Sequence, residues 1–191
     1  MTNKVLFLAL VLNAASSRLA FSGEPYIALF CDGQVDAAIK ERVEQGVEAN
    51  LLTMTEMVGS KSKPLSSFDK AIAWGKGLIG TNIMAVLILS EKIGDKEGRH
   101  IQARDGVVVV DVDALRPEKT DSTEGRESWL RRVEKECVGG LAFVLGLQIC
   151  NHPTCALGST PLVDETLDAK GRGLCPPCMG KWDAKKETLG K

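Results

Sequence analysis

With 191 residues, the chain has room for one domain with a real hydrophobic core and hardly for two. Its 24 Lys plus Arg against 25 Asp plus Glu leave a net charge of -1, so no basic excess is available to neutralise phosphates and nucleic acid is not the expected partner. Hydrophobic residues at 44% and charged residues at 26% are ordinary for a globular domain, and no apolar run reaches the roughly 20 residues needed to cross a bilayer.

Residues 1–22 contain no acidic side chain. Lys4 precedes a short apolar run at 5–12, small residues follow, and Ala20-Phe21-Ser22 suits a signal peptidase. The expectation is a cleavable leader directing the chain to the secretory pathway or an organelle lumen, with a mature protein starting near Gly23. A mitochondrial presequence is the second targeting choice, and a first buried element of the domain is the untargeted one. No transmembrane anchor is expected beyond this segment.

The elements then follow in order. Residues 25–31 (PYIALFC) read as a buried strand closed by a turn at Asp32-Gly33. Val35, Ile39, Val43 and Val47 form an i, i+4 stripe that predicts an amphipathic helix over 35–52. A polar loop is expected at 59–64 and a second helix at 68–78. Residues 82–90 (NIMAVLILS) predict an apolar strand, 100–103 a short edge strand, and 107–112 another buried strand. A polar connection over 115–127 leads to a long helix opening at Trp129, with Leu130, Val133, Cys137, Val138, Leu141, Val144 and Leu145 on its core side. This order predicts an α/β domain with one mixed sheet.

The chemistry sits near the C-terminus. Four of the six cysteines fall there as Cys150-x4-Cys155 and Cys175-x2-Cys178, a spacing that suits metal ligands. Four thiolates close a tetrahedral zinc shell and leave no position for water, so the expected zinc is structural. Two disulfides or free thiols are the alternative. Cys31 and Cys137 read as buried core thiols. Asp111 and Asp113 alternate along a strand and share a face, as paired acid–base carboxylates would, although such residues more often cap a strand end. Residues 75–81 (GKGLIGT) are glycine-rich but lack the Lys-Ser/Thr of a phosphate loop. The chain has two histidines, His100 and His152, and neither belongs to a helical i, i+4 pair.

The cysteine framework resembles that of the archaemetzincins, zinc-dependent peptidases of the metzincin clan. Their motif H-E-x-x-H-x-x-G-x-x-H runs directly into C-x4-C, then x-M-x17-C-x2-C, and the four cysteines here fit that spacing without a gap. Gly146 falls on the motif glycine, and Leu115–Glu118 (LRPE) is similar to the segment before the family's helix. The resemblance covers about residues 25–182. It implies a metzincin-like single domain at 23–182, with a mixed twisted sheet, packed helices and a part at 150–178 stabilised by zinc on four cysteines, followed by a polar tail at 183–191.

The departures are at the catalytic positions. Where the family motif has its three histidines this chain has Gly139, Phe143 and Ile149. At the catalytic glutamate it has Gly140, and at the methionine under the metal Leu157. A hydrolytic zinc needs about three protein ligands and a base, and Phe143 and Ile149 are expected to fill the site with hydrocarbon. Gly139-Gly140 inside a helix reads either as drift after loss of activity or as space for another backbone to approach. The resemblance then implies no catalytic residue, one structural zinc, and a pseudoenzyme that binds a protein partner or scaffolds a larger complex. The competing expectation is an active zinc peptidase or other hydrolase with a non-standard site.

Overall fold

The computed structural model describes residues 25–32, 34–51, 55–61, 65–80, 82–93, 100–118, 121–158 and 164–189. The expected leader at 1–22 lies outside the described residues. The elements are β1 (Tyr26–Asp32), α1 (Ala37–Leu51), β2 (Thr55–Lys61), α2 (Phe68–Lys76), β3 (Ile83–Ser90), β4 (Ile101–Arg104), β5 (Val107–Asp111), α3 (Thr123–Val144), α4 (Asp164–Ala169) and α5 (Pro176–Leu189).

Strand alternation sorts the core. In β1, Ile27, Leu29 and Cys31 face one side, while Tyr26 and Ala28 face the other. The same alternation puts Leu87, Leu89, Val108 and Val110 with the first group, and Val86, Ile88, Val107 and Val109 with the second. The first face is covered by α1 and α3 through Ile39, Val43, Val47, Val133, Val138 and Leu141. The second is covered by α2 through Phe68, Ala71 and Ile72. Both faces are thus buried, which explains strands that read as continuous apolar runs.

The five strands lie in the order β2-β1-β3-β5-β4. All neighbours are parallel except the last pair, β5 and β4. Asp105 (φ 54°) and Gly106 (φ 76°) make the tight two-residue hairpin turn between these two strands. The mixed α/β sheet is therefore as expected, with β4 as the antiparallel edge strand.

Three features differ from the sequence reading. Residues 59–61, expected in a loop, belong to β2, a strand at the other edge of the sheet. Its composition, TEMVGSK, carries no apolar run to mark it. Next, α3 begins at Thr123 and not at Trp129, because Ser122 caps it by accepting a hydrogen bond from Gly125 N at 3.0 Å. Finally, the polar residues after Cys178 are helical through Leu189. That helix is fastened by Trp182, which is fully buried and donates from Nε1 to Leu51 O at 2.7 Å.

The C-terminal region also covers the outer face of α3. Arg132, Glu134, Lys135 and Glu136 are consequently buried. Each has a partner from that region: Arg132 with Asp168 at 2.7 Å, Glu134 with Arg172 at 3.0 Å, and Glu136 with Lys170 at 2.7 Å. Lys135 Nζ donates to the carbonyls of Leu167 and Asp168 at 3.1 and 3.0 Å. These bonds place the loops that form the candidate site.

Candidate metal centre and the cleft beside it

The end of α3 sets the first ligand loop. Gly146 turns the chain with φ 94°, a conformation that favours glycine. Cys150 and Cys155 follow in the loop, while Cys175 and Cys178 flank and enter the first turn of α5. The four ligand sulfurs lie within 4.8 Å of one another. Cys150 Sγ and Cys175 Sγ are 3.7 Å apart, close to the ~3.8 Å edge of a tetrahedron with Zn–S bonds of ~2.3 Å. All four cysteines are free thiols, so the disulfide alternative is not what the geometry contains.

Backbone amides support the cluster. His152 N donates to Cys150 Sγ and Cys175 N to Cys155 Sγ, each at 3.4 Å. The His152 amide draws the Cys150 thiol below its usual range. Burial pushes the Cys155 and Cys178 thiols up, so a bound cation is needed to hold all four as thiolates. The donor set fits one structural zinc. His152 stands apart: its Nδ1 accepts from Thr154 N at 3.3 Å and lies 3.2 Å from Thr154 Oγ1. Among the described residues, these cysteines are the sole group of three or more His, Cys, Asp or Glu side chains placed to share a metal ion.

Beside the cluster, α3 and β4 bound an open cleft of about 220 Å³. It brings together Gly139, Gly140, Phe143, Ile149 and Leu157 with Ile101, Ala103, Glu136 and Lys170. Gly139 is in tight contact: a Cβ built there would lie 2.1 Å from Ala156 O. At Gly140 it would meet Val108 Cγ1 at 2.7 Å and Ile101 Cδ1 at 3.0 Å. The glycine pair therefore answers to packing, and drift does not account for Gly139. The approaching backbone is the chain's own. Phe143 and Ile149 do not fill the site as expected; they stand at its rim, 42% and 59% exposed. Leu157 is buried.

Two buried polar groups of the cleft lining, Glu136 and Lys170, meet a third, His100, that lies outside the lining. Glu136 accepts from Lys170 Nζ through Oε1 at 2.7 Å, and its Oε2 is 3.3 Å from His100 Nε2. Burial alone would raise the Glu136 carboxyl, but the His100 hydrogen bond and the Lys170 ammonium outweigh it and hold it below the usual range. Sequence reasoning missed this trio, since its members are 34 and 36 residues apart and carry no motif.

The remaining sequence candidates have structural roles. Asp111 accepts from Ile93 N at 2.9 Å and Ala114 N at 3.1 Å, and Asp113 pairs with Arg116 at 2.9 Å. Gly75 packs α2 onto Val107, and Thr81 lies outside the described residues. Burial pushes the thiols of Cys31 and Cys137 up, which makes them inert. A second cleft, about 230 Å³ at the Val112 end of β5, contains Arg116 and Arg126, already paired with Asp113 and Asp36.

The sheet order, the long helix leading into a cysteine loop and the second cysteine pair at a helix start define a zinc-metallopeptidase type of fold. More narrowly, it is the archaemetzincin fold. The chain superposes on an archaemetzincin from Methanopyrus kandleri with a TM-score of 0.68 at 19% identity, covering 86% of this chain and 97% of that one. A zinc-dependent peptidase from Methanocorpusculum labreanum gives 0.64 at 18% identity, with 82% and 99% covered. An archaemetzincin from Archaeoglobus fulgidus, crystallised with malonate, gives 0.59 at 16%, with 81% and 99% covered. No protein-family model matches the sequence, and no curated protein does.

Proposed function

We propose that the protein is a catalytically inactive, metallopeptidase-like binding protein that keeps one structural zinc and acts as a subunit or scaffold for a protein partner. The observation that carries this reading is the filled catalytic position. On the archaemetzincin motif, Gly139, Phe143 and Ile149 replace the histidines, Gly140 the glutamate and Leu157 the methionine. The space at Gly139 is taken by the carbonyl of Ala156, and Lys170 Nζ lies 3.6 Å from the position of a Cβ there. A lysine ammonium beside an apolar wall neither ligates zinc nor hydrates it. The partner segment lies along the outer edge of β4, where a strand at the end of a sheet offers unpaired backbone groups. The acid-free leader carries the chain into the secretory pathway.

Zinc stoichiometry on the native protein tests the reading. One zinc per chain with no metal-dependent peptide cleavage is the expected result. Two per chain, or cleavage abolished by chelation and restored by zinc, would refute it. N-terminal sequencing tests the leader, and recovery of Met1 or Thr2 from native material would overturn that part.

A further inference from the structure

The four cysteines of the cluster are not equally placed. Cys155, Cys175 and Cys178 are buried, none more than 5% exposed. Cys150 is only partly buried and reaches the surface, on a stretch, 147–155, that forms no helix or strand. A zinc shell keeps all four sulfurs as thiolates, which is the form that reacts. Access then decides which one reacts first, and access belongs to Cys150. Every sulfur of the cluster lies within 4.8 Å of the others, so a second thiolate is at hand. Cys175 Sγ is 3.7 Å from Cys150 Sγ. Cys178 lies within α5, where the helix fixes its backbone, and Cys155 Sγ accepts the Cys175 amide at 3.4 Å. Cys175 stands just before α5 and is the better placed partner.

From this we propose that Cys150 is a site of oxidative modification by hydroperoxides, resolved by Cys175, and that the disulfide formed releases the zinc and slackens the cleft wall that follows Cys155. The inference rests on the structural-zinc reading of the cluster and adds a regulation to the binding role. In the first step Cys150 Sγ gives an electron pair to the terminal oxygen of the hydroperoxide. The S–O bond forms, the O–O bond breaks, and the departing oxygen takes a proton from water. In the second step Cys175 Sγ attacks the Cys150 sulfur. The S–S bond forms, the S–O bond breaks, and hydroxide leaves. The two electrons lost by the sulfur pair are those that reduce the peroxide, and the metal keeps its charge throughout. Closing 3.7 Å to the ~2.05 Å of a disulfide asks for less than ~2 Å of movement, which the irregular stretch around Cys150 can supply. Cys155 and Cys178 alone then remain as ligands, too few for a structural site. Ala156, Leu157 and Gly158 follow Cys155 directly and line the cleft, so loss of the metal reaches the binding surface.

The test treats the full zinc-loaded chain with hydrogen peroxide. Released zinc is read with a chromogenic chelator, and thiols are mapped by differential alkylation and mass spectrometry, with dimedone present in a parallel sample to trap sulfenate. Zinc release is expected to keep pace with the loss of two thiols. The first linked peptides should join Cys150 to Cys175, dimedone should mark Cys150, and the deeply buried Cys31 and Cys137 should stay reduced. Deuterium uptake at 155–158 should rise with oxidation. Cys150→His keeps a Cys3His shell and should release zinc about tenfold or more slowly, because its remaining thiolates are buried. If that variant holds no zinc, the mapping in the unaltered chain decides alone. A first disulfide that omits Cys150, or oxidation of Cys31 or Cys137 at the same rate, would overturn the assignment. So would a Cys150–Cys175 disulfide that leaves the zinc bound, and unchanged uptake at 155–158 would overturn the link to the cleft. A chain holding no zinc before peroxide is added would instead sink the metal reading, while its first disulfide would still decide the roles of Cys150 and Cys175.

Discussion

At Gly139 two magnitudes compete. Replacing a helical glycine with alanine gains about 1 kcal/mol of helix propensity. Forcing a methyl into packed backbone costs about 1–3 kcal/mol, and the atom it would strike, Ala156 O at 2.1 Å, belongs to a main chain that cannot rotate away. Gly139→Ala is therefore expected to lose up to about 2 kcal/mol in urea unfolding. At Gly140 the opposing atoms are side-chain methyls of Val108 and Ile101, so Gly140→Ala should fall within about 1 kcal/mol of the unaltered protein. Two stabilising alanines would instead restore the drift reading. The sequence marked the pair as anomalous but could not name what presses on it. Residue 156 follows 17 positions later in the chain, and only the turn at Gly146 and the loop to Cys155 bring its carbonyl to the helix.

Among the elements, those with an apolar period were legible: β1, α1, α2, β3, β5 and the core side of α3. The edge strand β4 was readable from its setting between turn residues. What escaped had its signal in polar residues. β2 lies at a sheet edge with a polar, glycine-containing sequence, and α5 has a mostly charged surface with one buried anchor, Trp182. Pro176 at its first position was the available start signal. The four cysteines were readable by spacing alone because a tetrahedral ion fixes ligand distances locally. Among the described residues between Cys155 and Cys175, Ala156, Leu157 and Leu167 join the core and Leu174 packs against it, whereas a tetrathiolate zinc can supply on the order of 10 kcal/mol coupled to folding. Chelation or Cys175→Ser should thus deprotect the two cysteine loops and the start of α5 first and leave the sheet and α3 protected. Segment-resolved hydrogen exchange checks this. Equal protection with and without metal would contradict it.

On the scale of the whole molecule, the C-terminal region is joined to the α/β body by ion pairs on α3 as well as by the cluster. This gives acid a specific point of attack. The Glu136 carboxyl is held below its usual range in the folded protein. Its contribution to stability is therefore complete above the ordinary carboxylate value and is lost as pH falls through the lower folded value. Stability should decline on acidification from roughly pH 5 downward, with a shallower decline in Glu136→Gln when both are followed by circular dichroism. An identical slope would remove Glu136 from the account. The contact at Gly139 also limits which side chains this helix position can accept. Ala156 is held by its amide to Gly173 O at 2.9 Å and by its place next to Cys155, so its carbonyl cannot retreat without disturbing the cysteine loops. A histidine side chain at this position would have to displace a peptide group that the neighbouring cysteine loop holds. Stepwise introduction of histidine ligands on this helix is thereby closed, since a histidine at Gly139 clashes before any later step can be rewarded. A chain carrying Gly139→His, Gly140→Glu, Phe143→His and Ile149→His together is accordingly expected to bind no second zinc, and metal analysis of that quadruple variant checks this.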